Sequence, residues 1–207
     1  MKVLKHFFCV IVVSSAGPVL ANDDGLYEDV FDPNSSFVRI LAPGETFVAV
    51  NDTTIRDIDD GVSDYVNVMP GEVSITSSDA TTLLEVAPNS HYTIVMLEGQ
   101  EPEILTDAIT LDPAKSDVTF YNLSGVDDVE LFVPAADQTA ISDIDAMSGS
   151  SVALRAPLTL DFQVRANGET LASVEQVKLV RRSGVSIILT EAGGDYAAIA
   201  TSNMYLK

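Results

Sequence analysis

The chain has 207 residues, with 31 Asp and Glu against 11 Lys and Arg and a formal net charge of −20. Acidity on this scale repels nucleic acid and other polyanions, which excludes a role that depends on attracting them through overall charge. It also favours solubility, and it leaves two readings open: adaptation to a salty medium that screens charge, or an acidic face presented to a basic partner protein.

The chain opens "MKVLKHFFCVIVVSSAGPVLA", where Lys2 and Lys5 precede an apolar run closed by small residues. This layout predicts a secretory signal peptide over residues 1–21, with Val19 and Ala21 at the −3 and −1 positions of cleavage before Asn22. The run is too short to span a membrane, so a soluble exported protein is expected. Cleavage removes Cys9, which leaves no disulfide, thiolate nucleophile or cysteine metal site. It also removes Lys2 and Lys5, so the charge of −20 becomes −22.

Residues 22–36, "NDDGLYEDVFDPNSS", form an acidic segment that also carries Leu26, Tyr27, Val30 and Phe31. Such a segment either docks its aromatic side chains on the following domain or folds on a partner. From residue 37 onward short apolar or alternating runs follow one another: "SFVRIL", "TFVAVN", "DYVNVM", "EVSIT", "HYTIVML", "DVTFYNL", "DVELFVP", "LTLDFQVRA", "VEQVKLVRR", "VSIILTE" and "DYAAIAT". They are rich in Val, Ile, Thr, Tyr and Phe, and Pro-Gly, Asn-Gly, Ser-Gly and Gly-Gly turns separate them. No stretch keeps a helical period, so the class is all-β, built as sandwiches or barrels.

An internal repeat divides the chain. "SFVRILAPGETFVAV" aligns with "DVTFYNLSGVDDVELFV", "VSDYVNVMPGEVSI" with "ISDIDAMSGSSVAL", and "SHYTIVMLEG" with "SGVSIILTEAG", all in the same order. The spacing is that of a domain duplication. Two tandem small β-sandwich domains are therefore expected, at residues 37–112 and 113–207, meeting where "TLDPAKSD" interrupts the strand pattern.

The chemistry on offer is sparse. In "HYTIVML", alternation sends His91, Thr93 and Val95 to one face and Tyr92, Ile94 and Met96 to the other. His91 is the single histidine past residue 21, and its counterpart strand "GVSIILT" has none. A partly exposed strand residue is expected there, not a catalytic base. Neither a Gly-Asp-Ser nor a Gly-x-Ser-x-Gly nucleophile turn is present. One histidine without cysteine excludes the usual zinc sites. "RDIDDGVSD" gathers Asp57, Asp59, Asp60 and Asp64 around Gly61, but its spacing departs from a calcium loop and an acidic hairpin turn is the simpler reading. Arg39, Arg155 and Arg165 lie scattered through strands and are expected to pair with neighbouring carboxylates.

Three stretches carry a family resemblance. "GLYEDVFDPNSSFVRIL" resembles the mature start of the AlgF family, the alginate biosynthesis proteins that serve periplasmic O-acetylation. "SHYTIVM" and "VTFYNLSG" are similar to later strands of that family. The first domain alone also resembles a widespread β-domain of unknown function from exported bacterial proteins. The AlgF resemblance implies a periplasmic, non-catalytic accessory protein without cofactor, whose tandem sandwiches are similar to carbohydrate-binding modules. Its partners would be the membrane and periplasmic O-acetyltransferase components, with direct contact to alginate or a similar uronate polysaccharide left open. Its partner-binding surface would include Tyr27, Phe31 and Arg39, since aromatic residues and arginines most often anchor interfaces. Two alternatives stand beside it: a carbohydrate-binding or cell-surface module unrelated to acetylation, and an acetylesterase or transferase acting itself.

Overall fold

The computed structural model describes residues 32–203 and 205–206, apart from 44–47, 57, 59–60, 78–80 and 111. The first half contributes β1 (Ser36–Leu41), β2 (Val48–Val50), β3 (Thr53–Ile55), β4 (Tyr65–Val68), β5 (Gly71–Thr76), β6 (Thr81–Val86), β7 (His91–Val95) and β8 (Glu103–Asp107). The second contributes β9 (Lys115–Leu123), β10 (Val129–Val133), β11 (Gln138–Ile144), β12 (Ser148–Arg155), β13 (Leu158–Ala166), β14 (Glu169–Leu179), β15 (Ser183–Ala192) and β16 (Asp195–Asn203). A two-residue strand, β17 (Tyr205–Leu206), follows. The fold is all-β, and its tandem sandwiches repeat one plan.

Four sheets result, ordered β17-β4-β1-β7-β8, β3-β2-β5-β6, β12-β9-β15-β16 and β11-β10-β13-β14. Adding eight to each label of β1–β8 turns the first pair of sheets into the second, so the halves share one topology. In both, a parallel pair stands inside an otherwise antiparallel sheet: β1 with β7, and β9 with β15. The first and third sequence alignments agree with this plan. The middle one lays β5 on β12, whereas the sheet order makes β12 the counterpart of β4. Two similar turns, after Val68 and before Ser148, caused that one-strand displacement.

Period two explains the first core. Val38 and Ile40 of β1, Tyr92 and Ile94 of β7, Val73 and Ile75 of β5 and Val48 and Val50 of β2 all point between the first two sheets. An equivalent core, with Val118 and Phe120 of β9, Phe162 and Val164 of β13 and Ile187 and Leu189 of β15, fills the second sandwich. The opposite faces of β1, β7, β9 and β15 are also covered. Leu41, Val95, Tyr121 and Ile188 form a third cluster with Val62 and Leu123. The layers therefore stack in the order β3-β2-β5-β6, β17-β4-β1-β7-β8, β12-β9-β15-β16, β11-β10-β13-β14, and residues 32–207 form one compact unit.

This middle seam is nearly symmetric. Leu41 lies beside Val95 in one parallel ladder, and Tyr121 beside Ile188 in the other. The repeat alignment already places Val95 on Ile188, so matching positions of the two halves meet each other, as in an isologous dimer interface.

Candidate functional site

Arg39 sits in the centre of the seam and breaks its symmetry. The ladders make Thr119 its positional counterpart, since Arg39 lies beside Thr93 and Thr119 beside Ser186. Its side chain is only 1% exposed. The Nε–H donates to Thr93 Oγ1 at 2.9 Å, Nη1 to Asn203 Oδ1 at 2.7 Å, and Nη2 to both Tyr121 OH at 2.6 Å and Ser186 Oγ at 2.7 Å. The guanidinium carbon also lies 4.4 Å from the Tyr65 ring centroid and 5.3 Å from that of Tyr121, so the aromatic faces supply further favourable electrostatics. Expected as a surface anchor for a partner, Arg39 is instead an internal tie between the sandwiches. An alternating strand presents it on the non-core face, and the second sandwich covers that face.

The matching carboxylate is Asp107, the last residue of β8. Thr93 Oγ1 donates to its Oδ2 at 2.6 Å, Tyr65 OH to the same oxygen at 2.9 Å, and Tyr121 OH to Oδ1 at 2.5 Å. The two charges are thus joined by one-hydroxyl relays, Arg39 to Thr93 to Asp107 and Arg39 to Tyr121 to Asp107. Ser186 Oγ in turn donates to Asn203 Oδ1 at 2.8 Å. Charged groups taken from water need such satisfaction, because the desolvation cost of each is several kcal/mol. Burial works against the Arg39 charge, but Tyr121, Tyr65 and Asp107 outweigh it and hold the guanidinium protonated beyond its ordinary range. Burial pushes the Tyr65 and Tyr121 phenols up, against the opposing pull of Arg39. All the hydroxyls therefore stay protonated and able to relay.

His91 borders this network. It faces Asp107 across the β7–β8 pair, stacks on Phe37 at 5.0 Å and meets the Tyr65 ring edge-on at 5.6 Å. Its exposure is 8%, so the expected half-exposed position is corrected to a buried one, again because the second sandwich covers its face. Burial lowers its pKa below the usual value near 6.5; Asp107 opposes the shift and Arg39 reinforces it. A neutral imidazole clamped between rings is a packing element.

The remaining predicted positions divide simply. Tyr27, Phe31, Asp57, Asp59 and Asp60 lie outside the described residues. Asp64 stands just ahead of β4, half-buried, and its carbonyl accepts from Ser63 Oγ at 2.8 Å. Among the described residues no cluster of three or more His, Cys, Asp or Glu could hold a metal ion. Among the described residues Arg165 has no ion-pair partner, contrary to expectation: it donates to Gln163 Oε1 from Nε and Nη2, and its guanidinium lies over the Phe132 ring at 3.4 Å. Tyr65, Thr93, Asp107, Tyr121, Ser186 and Asn203 escaped sequence reasoning as a set. One signal was present, since the repeat alignment puts Thr93 on Ser186, and these two hydroxyls receive the guanidinium from opposite sides of the seam.

The second sandwich holds two glycines that make room for the network. A Cβ on Gly149, opposite Tyr121 in the β9–β12 pair, would come within 2.6 Å of Tyr121 Cδ1. One on Gly184 would meet Asn203 Nδ2 at 2.5 Å. Two of the three Arg39 partners from this sandwich, Tyr121 and Asn203, thus lie over backbone that lacks a side chain.

No helix among the described residues is long and apolar enough to cross a membrane. The family model described as alginate O-acetyl transferase AlgF matches residues 11–186. The alginate biosynthesis protein AlgF of Pseudomonas aeruginosa is 24% identical over 197 residues, covering 92% of this chain and 89% of its own. The AlgF of Pseudomonas fluorescens is 24% identical over 183 residues, covering 86% and 83%. A solved structure of the C-terminal domain of AlgF from Pseudomonas aeruginosa is 20% identical, with a TM-score of 0.39, and covers 44% of this chain and 99% of that domain. With its family match running from the N-terminal region into β15, the chain belongs to the AlgF family.

Proposed function

We propose that this protein is a non-catalytic periplasmic adaptor for O-acetylation of alginate or a similar exported uronate polysaccharide, acting beside membrane and periplasmic O-acetyltransferase components. Family membership over most of the chain carries the reading, since both curated relatives are named for alginate biosynthesis. The burial of His91 supports the accessory half of it. An acyl transfer through a serine needs a base within hydrogen-bond reach of the nucleophile and open to substrate. The His91 ring is instead stacked on Phe37 inside the seam. The polar side chains of the seam join two sandwiches into one body, which is what a scaffold requires.

The test is the O-acetyl content and the yield of secreted polysaccharide in a strain lacking the gene. Acetyl groups should be lost with polymer retained, and both the wild-type gene and His91→Phe should restore them. Phenylalanine keeps the stack on Phe37 but cannot accept a proton. Unchanged acetylation would overturn the accessory role, and a folded, exported His91→Phe protein that fails to restore it would revive catalysis.

A further inference from the structure

The two halves differ at one sheet edge. In the first half β17 lies parallel to β4, with Tyr205 beside Tyr65 and Leu206 beside Val66. The counterpart of β4 is β12, and the ladders fix the register between them. Val66 lies opposite Val38 and Val152 opposite Val118, while Val38 matches Val118 because Arg39 matches Thr119. Val152 is therefore the counterpart of Val66, and the place beside Ser151 and Val152 is the one that β17 takes in the first half. Among the described residues no strand takes it in the second, where β12 ends its sheet.

This edge is built to receive a strand. β12 pairs with β9 through eight residues without a bulge. Ala156 N–H donates to the Ala114 carbonyl at 3.3 Å, and backbone groups alternate sides along a strand, so Ser151, Ala153 and Arg155 turn their N–H and C=O groups away from β9. A regular edge of this kind is a template for another chain. Beside it a groove of about 440 Å³ opens between β11 and β12, lined by Ala140, Val152, Leu154, Leu158 and Leu160. Ala140, Val152, Leu154 and Leu160 also pack on the second core, so the apolar interior reaches the surface here, and Leu158 is 44% exposed.

Charge distinguishes one end of the edge. β12 finishes at Arg155, with Lys115 opposite it, and Arg181 Nε–H donates to the next carbonyl, that of Ala156, at 2.9 Å. All three side chains are exposed, and Asp112, 3.8 Å from Lys115, offsets one of them. A strand parallel to β12 would bring its C-terminal end to these cations.

We propose that the edge of β12 accepts an extended segment of a partner protein, running parallel to β12, with alternate apolar side chains in the groove and acidic residues at its C-terminal end against Arg155, Lys115 and Arg181. The pairing of β17 on the equivalent edge selects a polypeptide strand as the occupant. Strand addition draws affinity from main-chain hydrogen bonds and specificity from pockets for alternate side chains, and both are present here. A net charge of −20 on each copy opposes a second molecule of this chain as the occupant. The proposal does not rest on the acetylation reading, since the open edge and the groove are its grounds.

Fluorescence anisotropy with the full exported protein tests it, using a dye-labelled peptide of three Thr-Val repeats followed by three aspartates. The peptide should bind, and exchanging its aspartates for lysines should weaken it by about tenfold or more, the scale of a lost charge-assisted hydrogen bond. Versions N-methylated at every valine or at every threonine separate strand addition from apolar contact alone. Only one of these sets turns its N–H groups toward β12, so one version should lose binding and the other keep it. Ala153→Pro removes an outward N–H while sparing the β9 ladder, as proline on an edge strand can, and should abolish binding with the melting temperature unchanged. Leu158→Ser, at an exposed position, should weaken binding whether or not the proline variant folds. No binding of the peptide, or binding indifferent to methylation of either set, overturns the proposal. Dimers that form with rising concentration, compete with the peptide and vanish in Ala153→Pro overturn it in favour of a second copy.

Discussion

Arg39 and Asp107 are opposite charges buried in the seam, and each depends on the other. Their charges are linked through the hydroxyls of Thr93 and Tyr121 within the seam. Truncating one member of such a buried pair strands the other, so Asp107→Ala should cost about 3–5 kcal/mol. An apolar replacement of both, Arg39→Met with Asp107→Leu, should recover most of that loss, as urea midpoints at constant slope would show. A double variant no more stable than Asp107→Ala would mean that the two charges are not coupled. His91 makes a second prediction at this scale. Its folded pKa is lowered by burial, so below about 6.5 the unfolded chain binds the proton more readily than the native one. Its contribution to stability is complete above that pH and disappears as the pH falls through the folded value. His91→Phe should therefore flatten the fall in melting temperature between pH 7.5 and 5 relative to the wild type. Neither role was legible in the sequence, because alternation assigns a side chain to a face and says nothing about what covers that face.

Strands were legible where one face met a core. "SFVRIL" and the first five residues of "HYTIVML" coincide with β1 and β7, and the face assignment of Tyr92, Ile94 and Met96 is that of the first core. β8 was passed over because its exposed, edge-like pattern leaves only Asp107 buried, and β11 because its run mixes polar residues with Ile141 and Ile144. The displaced middle alignment had a similar cause, since turn chemistry resembles itself more readily than strands do. At this scale the prediction concerns β12. Gly149→Ala would drive a methyl group to within 2.6 Å of the Tyr121 ring and 3.0 Å of the Phe120 carbonyl. Overpacking of this kind costs about 1–3 kcal/mol, and it should move Tyr121 off Arg39. Near-ultraviolet circular dichroism would register the displaced tyrosine, and unchanged spectra with unchanged stability would show that the ring is not seated on that glycine.

Across the whole molecule the balance of charge sets the response to solution conditions. A net charge of −20 opposes compaction through self-repulsion, and added salt screens it. Melting temperature should rise between 20 mM and 500 mM sodium chloride, by about 2–4 °C for each 1 kcal/mol of repulsion removed. A flat or falling response would show that local ion pairs outweigh the global field. The seam also determines where partners can sit. Each half commits the same sheet face to the other, which leaves the β3-β2-β5-β6 and β11-β10-β13-β14 sheets as the outer layers of the stack. Packed sheets lie about 10 Å apart, so the outermost two are separated by about 30 Å. Two molecules seated on those opposite sides would share a high effective concentration while being held out of each other's reach, as by a rigid spacer of fixed length.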